Sequence, residues 1–165
     1  MTALRARFLT TGGILPSPII GCLEYTVSMK PNLRVFISYS HRDRKAAQRV
    51  AETIRNEGYE AWWDEDIRPG ANWAEETAEA LNRSQAIVIL ISPDFMESDY
   101  AQKEINFALS GEKFNRRVIP VLLKPTAQLP WIFQRLNVID ASRNIDQAAH
   151  RVVDALRAST AESRP

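Results

Sequence analysis

"AIVILIS", residues 86–92, is apolar from Ala86 to Ile91 and carries no charge. A strand with one wet face alternates polar and apolar residues. An unbroken run signals a strand buried on both faces, as in a parallel sheet covered by helices on each side. The rest of the chain supplies those neighbours. "LRVFISYS" (33–40) is a β-rich run, followed by "DRKAAQRVAETIRNEG" (43–58). There Asp43 is a suitable N-cap, Ala47, Val50, Ala51 and Ile54 share one helical face, and Gly58 stops the helix. "YEAWWD" (59–64) is a short strand, and 65–73 is a loop with Pro-Gly at its turn. "WAEETAEALNRS" (73–84) is helical, with Ala74, Thr77, Ala78 and Leu81 expected inward. "RVIPVLL" (117–123) and "NVID" (137–140) complete five strands around a Pro-bounded loop, and 144–159 closes as an amphipathic helix through Ile145, Ala148, Val152 and Leu156. Strand-helix alternation of this kind predicts an α/β, flavodoxin-like three-layer sandwich with a five-stranded parallel sheet in the order 2-1-3-4-5. Functional groups in such sheets gather at the carboxyl ends of the strands, here the loops 39–43, 64–73, 92–99 and 123–131.

Bulk properties narrow the function. The 165 residues are 45% apolar and 25% charged, as expected of one globular domain, and the net charge of +1 gives no strong pull toward nucleic acid or an acidic membrane. No apolar run reaches the length of a membrane span. The single cysteine, Cys22, excludes an intramolecular disulfide and fits a reducing, cytoplasmic compartment. His41 and His150 lack metal-ligand spacing. The acidic run Asp64, Glu65, Asp66 could hold Mg²⁺, but acids before a Pro-Gly turn more often form a solvated loop, so no metal and no cofactor is expected. The turn "SYSHRD" after the first strand has neither the dinucleotide nor the P-loop glycines. A phosphoacceptor receiver would place an acidic pair there and an Asp after the third strand, where this chain has Ser40-His41 and Ser92-Pro93. A hydrolase elbow, G-x-S-x-G, is absent.

The stretch "SDYAQKEINFAL" (98–109) adds an anomaly. At about 100° per residue, Glu104 falls ~40° from Tyr100, inside an apolar arc that includes Ala101, Ile105, Ala108 and Leu109. A buried carboxylate needs a partner. It has a salt-bridge partner from a neighbouring loop, Arg42 or Lys124, or it faces a cleft.

Four segments in order, "RVFISYSHRD", "GYEAWWDEDIRPGANW", "AIVILISPDFMESDYAQKEINFAL" and "RVIPVLL", resemble a bacterial Toll/interleukin-1 receptor (TIR) domain over residues 33–159. The resemblance implies one of two activities: hydrolysis of NAD+ at the nicotinamide-ribose bond, or self-association as a non-catalytic signalling module. Catalytic members carry Glu in a W-x-x-x-E pattern. Here "YAQKE" puts Glu104 in the catalytic place and Tyr100 where Trp is usual, which keeps an aromatic face. The resemblance further places Tyr39, Ser40 and His41 against the ribose and phosphates of NAD+, although His41 also suits a surface helix start. It makes 64–73 the mobile BB loop. Within that loop Gly70 is expected at positive φ, Arg68 reaches a phosphate or solvent, and Trp73 covers a ring of the substrate or staples the next helix. NAD+ is then a substrate rather than a cofactor. The product is ADP-ribose or a cyclic variant, the partners are other TIR domains and a second protein of an anti-phage defence system, and a host-directed effector fits the same residues.

The first 32 residues have no periodicity and are rich in Gly and Pro. They read as a disordered tail, as a start codon placed too early with Met29 the true beginning, or as a poor lipoprotein-type signal. A chain beginning at Met29 is expected to keep the full thermal transition. A large drop in melting temperature would show that the tail packs on the domain.

Overall fold

The computed structural model describes residues 33–67, 69–98, 117–126, 129, 133 and 135–161. The expectations for residues 1–32, for Arg68, and for Tyr100 and Glu104 lie outside the described residues. Five strands run parallel in the order β2-β1-β3-β4-β5: β1 Arg34–Ser38, β2 Glu60–Trp62, β3 Ala86–Ile91, β4 Val118–Leu122 and β5 Ile139–Asp140. This is the sheet that the sequence predicts.

All six residues of β3 are fully buried. Its period of two divides them between two cores. Ala86, Val88 and Leu90 pack with α1 (Arg44–Asn56) and α4 (Ile145–Ala161), while Ile87, Ile89 and Ile91 pack with Leu81, Phe95 and Phe133. Each buried Ile, Leu or Val stabilises by about 1.5–3 kcal/mol relative to exposure.

The expected face of α1, Ala47, Val50, Ala51 and Ile54, is buried. Gly58 ends that helix at φ 84°, donating its amide to Arg55 O at 2.9 Å. In α4 the buried face holds Ala148, Val152 and Leu156, with Ala149 and Val153 widening it, and Asn144 caps the start by accepting from Gln147 N at 3.0 Å. Helix α2, Trp73–Arg83, departs from expectation. Thr77 and Leu81 are buried and Ala80 is partly so, but Ala74 and Ala78 are exposed. The helix covers the end of the sheet where β2 is only three residues long, so a narrow i, i+3, i+4 stripe suffices. Asn72 caps it, accepting from Ala74 N at 3.2 Å.

Strand β5 is shorter than the run 137–140. Leu123 N donates to Ile91 O at 2.8 Å, so by alternation the amides of odd-numbered β4 residues face β3 and position 120 faces β5. Pro120 has no amide to donate. Pairing with β5 begins one residue later, at Val121 with Ile139. No helix among the described residues is long and apolar enough to cross a membrane.

Asp43 holds the N-cap position of α1 but makes no side-chain capping bond. Its carboxylate, 4% exposed, instead accepts from the Ser92 hydroxyl and from Lys124 Nζ at 3.3 Å. Ser92 in turn caps the one-turn helix α3, Pro93–Met96, by accepting from Phe95 N at 3.1 Å. Nearby, Arg42 pairs with Asp94 at 2.7 Å. The loops that follow β1, β3 and β4 are therefore joined through one carboxylate.

Because the Ser92 hydroxyl is fully buried, Asp43→Ala is expected to lower the unfolding free energy by about 2–3 kcal/mol, the cost of an orphaned donor. Asp43→Asn keeps an acceptor and should lose less. Lys124→Ala should lose under ~1 kcal/mol, because that ammonium is largely solvated. Urea denaturation with an unchanged slope checks the order. Equal losses for Asp43→Ala and Lys124→Ala would assign the stabilisation to the ion pair instead.

Candidate functional site

The carboxyl ends of β1 and β2 meet at Tyr39 and Asp64. Tyr39 follows β1 directly, and its hydroxyl donates to Asp64 Oδ1. Its ring lies against Trp63, with centroids 6.0 Å apart and planes tilted by 41°. Burial, and then the hydrogen bond to the Asp64 carboxylate, push the Tyr39 hydroxyl far above the usual tyrosine range. Tyr39 is therefore a fixed donor at any physiological pH.

Asp64, Glu65 and Asp66 form a one-turn 3-10 helix after β2. Asp64 accepts from Tyr39, Glu65 pairs with Arg44 at 2.6 Å, and Asp66 pairs with Arg55 at 2.6 Å while accepting from Trp63 N at 3.2 Å. The three carboxylates thus diverge to three partners. They pin the base of the loop rather than converge on one point, and no group of three metal-binding side chains forms among the described residues.

Above this base lies a small cavity of about 50 Å³. Tyr39, Asp64, Trp73, Thr77 and Ser98 line it, over an aromatic floor that includes Phe36 and Trp62, stacked at 5.1 Å and 16°. Trp73 opens α2 and is 45% exposed. A larger cavity of about 480 Å³ runs along β2 from Glu60 to Trp62, flanked by the Arg34–Glu60 and Arg83–Glu79 ion pairs.

Of the residues picked from sequence, the fold brings Tyr39 and Trp73 to one cleft. Ser40 and His41 do not line it: the Ser40 carbonyl accepts from Asp43 N at 2.7 Å and His41 is exposed at the start of a 3-10 turn. Gly70 sits at an exposed turn with φ +85°, as expected, and a Cβ there would meet nothing within 4 Å. Trp63 is buried at the strand end. Sequence reading passed over Thr77 and the pairing of Asp64 with Tyr39. Thr77 carried a signal, being the one polar residue on the face of α2 that was expected to turn inward.

A profile of the TIR domain family matches residues 35–156. Over 86 residues the chain is 29% identical to a 2′ cyclic ADP-D-ribose synthase of Bacteroides thetaiotaomicron, covering 51% of this chain and 30% of that one. It is 28% identical over 131 residues to an NAD(+) hydrolase of Paracoccus denitrificans, covering 74% and 44% respectively. The chain thus spans less than half the length of these relatives. The TIR domain of a Toll-related receptor from Hydra magnipapillata superposes with a TM-score of 0.61 at 22% identity, over 74% of this chain and 97% of that one. The profile match spans the sheet from β1 to α4 and includes every strand, and on that match the chain belongs to the TIR domain family.

Proposed function

We propose that this chain is a TIR-type NAD+ glycohydrolase with Glu104 as its catalytic carboxylate. The observation that carries the reading is the cleft at the ends of β1 and β2. It gathers Tyr39, which the TIR resemblance places against the substrate, with Trp73, which the sequence reads as covering a substrate ring or stapling the next helix, and its wall includes Ser98, six residues before Glu104. The names of the bacterial relatives, an NAD(+) hydrolase and a cyclic ADP-ribose synthase, support the same chemistry.

The reaction needs little machinery. The bond between the ribose anomeric carbon and the pyridinium nitrogen breaks, and its electron pair leaves with nicotinamide. Nicotinamide is neutral once released, so no general acid is required. The ribose becomes oxocarbenium-like, as in glycoside hydrolysis. One fixed carboxylate beside the ribose stabilises the positive charge as it develops. Water, or a hydroxyl or ring nitrogen of the substrate itself, then bonds to the anomeric carbon. With water the products are nicotinamide, ADP-ribose and one proton released to solvent. No metal or prosthetic group enters this scheme.

Self-association belongs to the same proposal. The exposed Gly70 turn projects from the loop whose base is pinned by Glu65 and Asp66, a shape suited to contacting a second TIR domain. The same turn favours the second reading, a non-catalytic interaction module. Nicotinamide release from NAD+ by the purified protein separates the two.

Glu104→Gln keeps size and most hydrogen bonding while removing the charge. Turnover of NAD+ should fall by at least ~10²-fold, the loss typical of one well-placed electrostatic group. NAD+ binding should change much less, and the melting temperature should hold or rise. Intact turnover with a collapsed melting temperature would make Glu104 a structural ion-pair residue instead.

Specific activity should also climb with protein concentration. Gly70→Val strains the positive-φ turn by about 1–2 kcal/mol, with no clash, and should lower activity without unfolding the chain. Concentration-independent activity in a monomeric sample would remove assembly from the mechanism.

A further inference from the structure

Thr77 Oγ1 is a buried side-chain oxygen with no hydrogen-bond partner among the described residues. Thr77 is 3% exposed, and it lines the cleft that Tyr39, Asp64 and Trp73 share. A hydroxyl held out of water without a partner costs stability unless something it meets in use repays it. In a helix a threonine can bond back to the preceding turn. Here it does not, so among the described residues neither its donor nor its acceptor capacity is used.

The surroundings limit what a ligand there can be. Among the described residues no lysine or arginine lines the cleft, which argues against a phosphate. The lining carboxylate, Asp64, favours a cationic ring over an anionic group. The floor is aromatic, with Phe36, Trp62 and Phe95, so an apolar planar face is favoured. At about 50 Å³, the cavity holds one or two water-sized groups on the scale of ~30 Å³ per water. That suits a carboxamide rather than a whole ring.

We propose that Thr77 reads the carboxamide of the nicotinamide ring, with the hydroxyl in the cavity meeting the amide and the ring lying at the rim against Trp73. The assignment rests on the NAD+ glycohydrolase reading and makes Thr77 its specificity-determining residue for the leaving base. A site built to hydrogen-bond a ligand group discriminates against analogues that lack the group.

The test compares nicotinamide with pyridine, which lacks the carboxamide, as ligands of the full chain, alongside NAD+ cleavage. Wild type should bind nicotinamide more tightly than pyridine. Thr77→Val, close in shape but without the hydroxyl, should lose about tenfold of that preference, while Thr77→Ser should keep it. The melting temperature of Thr77→Val should stay level or rise, because an unpaired buried hydroxyl is gone. A Thr77→Val protein that retains the full preference overturns the inference, as does a wild type without preference, even if NAD+ is cleaved normally. Loss of the preference in Thr77→Val with a wild type that leaves NAD+ intact supports Thr77 as the reader of the carboxamide and overturns the glycohydrolase reading alone.

Discussion

A carboxylate out of water must be given donors, and the buried side chain of Asp43 receives them from two directions. Ser92, fully buried, donates from the end of β3, and Lys124 reaches in from the loop beyond β4. Ser92 can do so because its hydroxyl also accepts from Phe95 N, which starts α3 and seats Phe95 in the core. Three loops that are distant in sequence are thereby held at one height above the sheet. The arrangement depends more on the buried Ser92 contact than on the half-solvated lysine, since exposed ammonium groups stabilise little.

The cleft uses the other side of the same edge. Tyr39 leaves β1 just before the turn that leads to Asp43, and it closes onto Asp64 at the end of β2. Glu65 and Asp66 are tied to two arginines of α1, so the first part of the 64–73 loop is fixed to that helix. Its far part is different. Gly70 lies at an exposed turn with open space around it, and Trp73 stands partly in solvent. A loop with a pinned base and an open tip combines a preorganised wall for a ligand with a surface that another domain can meet. Among the described residues, the Thr77 hydroxyl of this wall is left without a hydrogen-bond partner.

Much of the architecture was legible in the residues. The apolar run of β3 fixed a strand covered on both faces, because only a doubly covered strand can bury every side chain. The helical faces of α1 and α4 followed from their period, and Gly58 and Gly70 from the need for positive φ. Errors arose where a residue's environment was set by something far along the chain. Ala74 and Ala78 are small enough to suit either side of α2, and the short strand β2 left them exposed. The length of β5 was decided by the missing amide of Pro120 in its neighbour.

The site divides along the same line. Sequence alone determined which residue types stand at the strand ends, Tyr39 and Asp64 among them, because chain order in an α/β sheet dictates which loops share an edge. It could not tell which of those side chains touch. Asp43 suited an N-cap by its position, and Asp64 to Asp66 read as a solvated or metal-binding run by their composition. Local sequence carries no record of Ser92 arriving 49 residues later, or of Tyr39 lying opposite Asp64 across two strands. Only the packed sheet brings those groups within hydrogen-bonding distance. A buried polar side chain takes its role from the partner that folding delivers, so tertiary structure alone decided that Asp43 binds loops, that Asp64 anchors Tyr39, and that Thr77 has no partner among the described residues.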